Sequence, residues 1–389
     1  ISTVDTEGKV GQVVVGTLIA VGDKWRLIDA PAVLDEAKEF VGNSQFLTPY
    51  GRTRTGGGGA GGIEEKTQQL LQKLEQLDQQ AGRAKSADAQ AENASQRCDL
   101  LAQIADSVAS PEDRAQWLRN LAETISAAVQ QGTMPEGIDR LKALHDKLKA
   151  EEGDQELAGY VRFRLITAQY NQELQEGGDF QKVQKRWLTN LRQYVEDYPQ
   201  SADAAEAMLQ LATAEEFAGE EDEAKKWYGQ IVNNFPNAAS AQKAAGAITR
   251  LDSVGKTLRL RGATPSGKTV DLGNFRKKVV LLQYWATWCE PCKANMAQIK
   301  EVLAKYGKEG FTVVSISLDN RPEDLVGYLR KHPLPWSHIY EPGGLDSRLA
   351  NELGVLTLPT MLLLDQDGKV VNRSIDVSEL DREVKALVR

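Results

Sequence analysis

Val-Val-Leu-Leu-Gln-Tyr-Trp-Ala-Thr-Trp-Cys-Glu-Pro-Cys-Lys, residues 279–293, sets the fold of the last third of the chain. Val279–Trp285 is apolar apart from Gln283 and rich in β-formers, which predicts a strand buried on both faces within a parallel or mixed sheet. From Lys293 to Tyr306 the period changes, and Met296, Ile299, Val302, Leu303 and Tyr306 fall on one helical face. Cys289 and Cys292 therefore sit where a buried strand hands over to a helix.

That placement has chemical consequences. The free N–H groups and macrodipole of a helix N-terminus favour negative charge, so the first cysteine ionises more easily there. A thiolate is the nucleophile of disulfide exchange. Cys292 lies about one helical turn on, within reach of a mixed disulfide on Cys289. Pro291 suits the first turn, where a missing N–H costs nothing. A zinc site competes weakly, because zinc takes four ligands. The remaining cysteine is Cys98, and His145, His332 and His338 form no ligand-spaced cluster with the pair. A purely structural bridge across so short a loop is also a lesser reading.

Trp-Cys-Glu-Pro-Cys after a β-run resembles the active site of the thioredoxin superfamily. The longer Tyr-Trp-Ala-Thr-Trp-Cys-Glu-Pro-Cys-Lys resembles its extracytoplasmic TlpA/ResA-like thiol–disulfide oxidoreductases. Thr357-Leu358-Pro359-Thr360, about seventy residues on, resembles the cis-proline loop of that family. The resemblance covers about residues 255–389. It implies a cis bond before Pro359, a proline beside the cysteines, and backbone hydrogen bonds from Leu358 to a bound polypeptide. It also implies an extracytoplasmic location and, from the Cys-Glu-Pro-Cys motif, a reductant. Two departures stand out. Thioredoxins carry a buried carboxylate where this chain has Gln283, so help for Cys292 must come from water or Glu290. The family's helix proline is Ala297 here, which predicts a straighter helix.

Composition frames the rest. A chain of 389 residues with 26% charged side chains and mean hydropathy −0.42 reads as a soluble protein of two or three domains. No stretch approaches the eighteen or so apolar residues of a membrane span. It begins at Ile1 without a charged and then apolar leader, so it reads as a mature or trimmed product whose export signal is not visible. Residues 255–389 carry 20 basic and 16 acidic side chains, while the remainder carries 27 and 39. An acidic upstream part argues against nucleic acid as partner. Cys98, beside Leu100, Leu101 and Ile104, reads as a buried small hydrophobe.

Residues 1–50 predict a β-hairpin segment. Val10–Val21 runs to a Gly22-Asp23 turn, Trp25–Ile28 returns, and Pro31–Glu36 follows as a short helix or loop. It resembles the last hairpin of cone-like α+β domains such as the nuclear-transport-factor-2-like fold. Residues 51–62 are a Gly-rich linker. Residues 63–253 read as helix throughout, with Ser110-Pro111-Glu112-Asp113 a strong helix start. Tyr198-Pro199 recurs as Phe235-Pro236, each after an amphipathic helix, and the order of elements resembles tetratricopeptide repeats; a plain helical bundle is the simpler alternative. Residues 254–389 then form a thioredoxin-like α/β domain. It opens with a hairpin of Thr257–Arg261 and Thr269–Leu272, and the rest follows as Phe311–Leu318, Pro322–His332, His338–Tyr340, Leu345–Leu353, Met361–Leu364, Val370–Arg373 and Val377–Val388.

The function expected is a thiol–disulfide oxidoreductase. Cys289 attacks a protein disulfide and Cys292 resolves it. Trp288 shields one side of the pair, Glu290 and Pro291 tune it, and Leu358 and Pro359 lie alongside. No bound cofactor or metal is needed; electrons come from a partner's dithiol. A peroxidase would want threonine or serine at Ala286. The alternative is a protein-binding repeat scaffold in which the redox site is secondary.

Overall fold

A computed structural model describes residues 65–81, 86–151 and 154–388, and the backbone of five short strands nearer the N-terminus. Those strands are Ser2–Thr6 (β1), Lys9–Val14 (β2), Leu18–Val21 (β3), Lys24–Leu27 (β4) and Ala32–Leu34 (β5). β3 and β4 pair antiparallel, while β1, β2 and β5 form a separate sheet. The single strand expected over Val10–Val21 is thus two, and Pro31–Glu36, expected as a short helix or loop, contains the strand Ala32–Leu34. The linker expected at 51–62 lies outside the described residues.

Two compact units divide the chain, one over Thr53–Leu211 and one that includes Ala212–Arg389. The first is helical: Glu65–Ala81 (α1), Ala87–Ser107 (α2), Pro111–Gln130 (α3), Gly137–Ala150 (α4), Gln155–Gln175 (α5), Phe180–Asp197 (α6) and the start of Ala204–Ala218 (α7). α2 begins at Ala87, where the Ser86 hydroxyl accepts the Ala89 N–H at 3.3 Å. The Ser110 hydroxyl accepts Asp113 N–H at 3.2 Å, with Pro111 in the first turn. Cys98 is fully buried, and burial pushes its thiol up to about 11, so it is inert at neutral pH.

The motif spaced 37 residues apart has one backbone form. Tyr198 and Phe235 are each the residue after a helix, at φ −132°, ψ 56° and φ −130°, ψ 53°. Each donates its N–H to the carbonyl four residues back. A following proline disfavours helical backbone, which is why both helices stop there.

The second unit continues with Glu221–Asn234 (α8) and Ala239–Leu251 (α9), then the hairpin Arg261–Ala263 (β6) and Thr269–Asp271 (β7). The hairpin pairs three residues a side, fewer than the sequence suggested. Val279–Trp285 (β8), Glu290–Tyr306 (α10), Phe311–Ser317 (β9), Pro322–Lys331 (α11), Ser337–Tyr340 (β10), Arg348–Glu352 (α12), Thr360–Leu364 (β11), Val370–Asn372 (β12) and Leu380–Leu387 (α13) complete it. Leu345–Leu353, expected as one helix, is a 3₁₀ turn at Gly344–Asp346 and the short α12.

β8 is the middle of a five-stranded sheet ordered β10-β9-β8-β11-β12. β8 runs parallel to β9 and antiparallel to β11, and β9 and β10 are parallel. All seven residues of β8 are buried, as its apolar run predicts. Alternate side chains feed two cores: Val280, Leu282 and Tyr284 on one face, Val279 and Leu281 on the other. The second core takes Ile299, Val302 and Tyr306 from α10, with Leu303 partly buried beside them. α10 runs uninterrupted through Ala297. No helix among the described residues is long and apolar enough to cross a membrane.

α9 belongs to this unit, so residue 254, where the sequence suggested a border, falls inside it. A Cβ on Gly246 would lie 1.9 Å from the Asn351 carbonyl oxygen, and one on Gly354 (φ +54°) 2.1 Å from Ala247 N. Only glycine lets the two backbones approach so closely. Arg250 is 7% exposed, and its Nε donates to the Leu353 carbonyl at 2.9 Å. Its other nitrogens donate to both Glu216 carboxylate oxygens at 2.7 and 3.0 Å. Lys243 pairs with Asp346 at 2.5 Å.

Candidate active site

Cys289 is the N-cap of α10. Its sulfur accepts the Cys292 N–H at 3.2 Å, so the atom sits against the free donors of the helix end. The two sulfurs are joined as a disulfide, with Cα atoms 5.3 Å apart. Pro291 lies in the first turn, exposed, where its missing N–H leaves nothing unpaired. Cys289 keeps 2% of its surface and Cys292 none. Of the two sulfurs, only that of Cys289 has any access to solvent through its residue's remaining surface.

Antiparallel register pairs Tyr284 on β8 with Thr360 on β11. The chain leaving β8 toward Cys289 and the chain entering β11 from Pro359 therefore lie at one end of the sheet. Leu358–Pro359 is a cis peptide, as the Thr-Leu-Pro-Thr motif implied. Leu358 is buried in the same apolar cluster as both cysteines, and Trp288 packs partly buried against that cluster. Glu290 turns outward and pairs with Lys293, its side chain 81% exposed. It makes no contact with Cys292 that would let it act as the base the sequence reading allowed.

Gln283 is buried within a neutral chain of donors. Trp336 Nε1 donates to Ser315 Oγ at 2.7 Å, and that hydroxyl donates to Gln283 Oε1 at 3.0 Å. The amide NH₂ faces Met296 sulfur at 3.9 Å. An amide satisfies this arrangement without burying a charge.

Asp319, which sequence reasoning missed, is 1% exposed. Its Oδ1 accepts Thr287 N–H at 2.9 Å and Thr287 Oγ–H at 2.6 Å, and its Oδ2 accepts Ser317 Oγ–H at 2.7 Å. Burial pushes its carboxyl above the usual carboxylate range, against the pull of these donors. In sequence, Asp319-Asn320 after an apolar run reads only as a turn. Arg250 was missed for a similar reason: a basic residue in the last turn of a helix is ordinary. Gly246, a glycine inside a helix, was the available signal.

Neither of two surface grooves, about 450 and 390 Å³, is lined by either cysteine.

Comparison with known proteins agrees with this geometry. A redoxin family model matches residues 233–388, beginning within α8. A thiol-disulfide oxidoreductase ResA from Bacillus thuringiensis subsp. konkukian is 31% identical over 105 residues, 27% of this chain and 59% of the relative. The Bacillus subtilis ResA is 24% identical over 106 residues. The chain thus spans a little under three fifths of the length of these relatives. A solved thiol-disulfide oxidoreductase from Bacteroides fragilis is 30% identical, covering 34% of this chain and 98% of that one at a TM-score of 0.32. The C-terminal region of the chain is thus similar to the redoxin family and to thiol-disulfide oxidoreductases of the ResA kind.

Proposed function

We propose that this domain is a thiol–disulfide oxidoreductase that reduces protein disulfides outside the cytoplasm. The observation that carries the reading is the Cys289 sulfur at the end of α10, accepting the Cys292 N–H. That seat stabilises the thiolate relative to a free cysteine. In the reduced form, Cys289 thiolate attacks one sulfur of a client disulfide, and the other leaves as a thiolate that takes a proton. Cys292 then loses its proton to water, attacks the Cys289 sulfur, and displaces the client's second thiolate. The client gains two electrons, the 289–292 disulfide forms, and a partner's dithiol restores it. Glu290 is paired with Lys293 at the surface, and Gln283 cannot take a proton, which leaves water as the acceptor. Trp288, Pro291, Leu358 and Pro359 shape the seat for an extended client segment.

The helical region contributes recruitment or spacing in this reading. The matching caps at Tyr198 and Phe235 favour tetratricopeptide-like repeats over an unpatterned bundle.

Insulin reduction with dithiothreitol tests the chemistry. The wild type should accelerate it and Cys289→Ser should not; equal rates overturn the proposal. Cys292→Ser should trap a mixed disulfide on Cys289, and mass spectrometry would then identify the client.

A further inference from the structure

We propose that Asp319 is a positioning residue for the dithiol, holding the turn from Ala286 to Cys289 through Thr287 so that the Cys289 sulfur stays on the helix end. This rests on the reading of Cys289 and Cys292 as an exchange site.

The backbone ladder between β8 and β9 runs out at Trp285 and Ser317. One further bond follows, from Leu318 N–H to the Trp285 carbonyl at 2.8 Å. Beyond it the two chains diverge, and the side chain of Asp319 takes over where the backbone stops. It collects both Thr287 donors on one oxygen and Ser317 on the other. Ser317 Oγ in turn accepts Asp319 N–H at 3.2 Å, which fixes the carboxylate from its own side. The turn it holds is tight, with Cys289 N–H bonded to the Ala286 carbonyl at 3.1 Å. Thr287 is two residues from the nucleophile, so freedom at Thr287 becomes displacement at the sulfur. A buried carboxylate is costly unless its lone pairs are filled, and here three donors fill them. Removing it would orphan the Thr287 N–H at the base of the turn.

The experiment uses the full chain with Asp319→Ala, Asp319→Asn and Thr287→Val. Asparagine keeps an oxygen for Thr287 and loses the charge. Each variant is checked for folding by circular dichroism, then for insulin reduction and for the pH midpoint of Cys289 alkylation in the reduced protein. Asp319→Ala should lose at least about tenfold in exchange rate and raise the midpoint, because small misplacements of a reacting group are costly. Asp319→Asn should stay within about threefold, with no rise in midpoint, since position rather than charge is kept. A folded Asp319→Ala with wild-type rate and midpoint overturns the proposal, as does equal impairment of the alanine and asparagine variants. If Asp319→Ala does not fold, Thr287→Val decides: a slower rate with a raised midpoint supports the proposal, and no change in either overturns it. A wild type no faster than Cys289→Ser would instead sink the exchange reading itself.

Discussion

Two loops leave the same end of the sheet, and they are anchored in opposite ways. The loop bearing Cys289 is tied by Asp319, from the end of the neighbouring strand. The loop leading to cis-Pro359 begins at Leu353 and Gly354, whose carbonyls are held by Arg250, about a hundred residues upstream on α9. The first anchor is intrinsic to the sheet. The second is supplied by a helix that the sequence assigned to a different domain. The difference teaches that a helix before residue 254 is built into this unit, its Arg250 holding the start of the loop that leads to Pro359.

Breaking the second anchor should have the largest effect. Arg250→Met leaves the Glu216 carboxylate, 18% exposed, with the Tyr228 hydroxyl at 3.0 Å but no cation, and leaves the Leu353 carbonyl without its donor. Removing one partner of a buried pair costs about 3–5 kcal/mol, readable as a fall in the urea midpoint of this unit. A loss under about 1 kcal/mol would mean that α9 merely lies against the domain.

Acid separates the anchors next. Arg250 keeps its proton at any working pH. Asp319, its carboxyl raised by burial, holds a proton in the folded state to higher pH than in the unfolded chain, so its contribution is present at low pH and lost as pH rises through the shifted value. His338, on β10, has the opposite sign. Burial pushes its imidazole down to about 4. The folded state then binds fewer protons than the unfolded chain between that value and about 6.5, and stability falls as pH drops through this window. The His338 contribution to the fall should reach about 3 kcal/mol by pH 4, with Asp319 acting in the opposite direction, and His338→Phe should remove it. Urea unfolding at half-unit steps from pH 7 to 4 checks this; a profile unchanged by His338→Phe contradicts it.

The smallest effect tests the close approach. In an exposed helix, Gly246→Ala would stabilise by roughly 1 kcal/mol. Here the new methyl meets the Asn351 carbonyl, so a loss of about 1–3 kcal/mol is expected instead. Thermal unfolding gives the sign, and a stabilised variant would break the account of the α9–α12 contact.

Much of the site was legible because its signals are local. The apolar run of β8, the change of period at Lys293, the Pro291 helix start and the Leu358-Pro359 loop are each written within a few residues. What stayed hidden depends on pairs far apart in sequence. Asp319 looks like any turn acid until Thr287 is placed beside it, and Arg250 looks like any helix-end cation until Glu216 and Leu353 close on it. Gln283 was visible as a departure, but its use, an amide completing the Trp336–Ser315 chain, appears only once β8 and β9 are in register. In sequence Ala239–Leu251 continues the alanine-rich pattern of the helices before it, which sets the border at 254, while its attachment to the sheet unit is made by two glycines and an arginine.

The central claim is that Cys289 is made reactive by its seat on α10. The most direct measurement is the pH dependence of iodoacetamide alkylation of the reduced protein, with the modified residue identified by mass spectrometry. Cys289 should react first, with a midpoint below about 7.5, against roughly 8.5 for an ordinary thiol. A midpoint at or above that ordinary value, or preferential reaction at Cys292, would contradict the account.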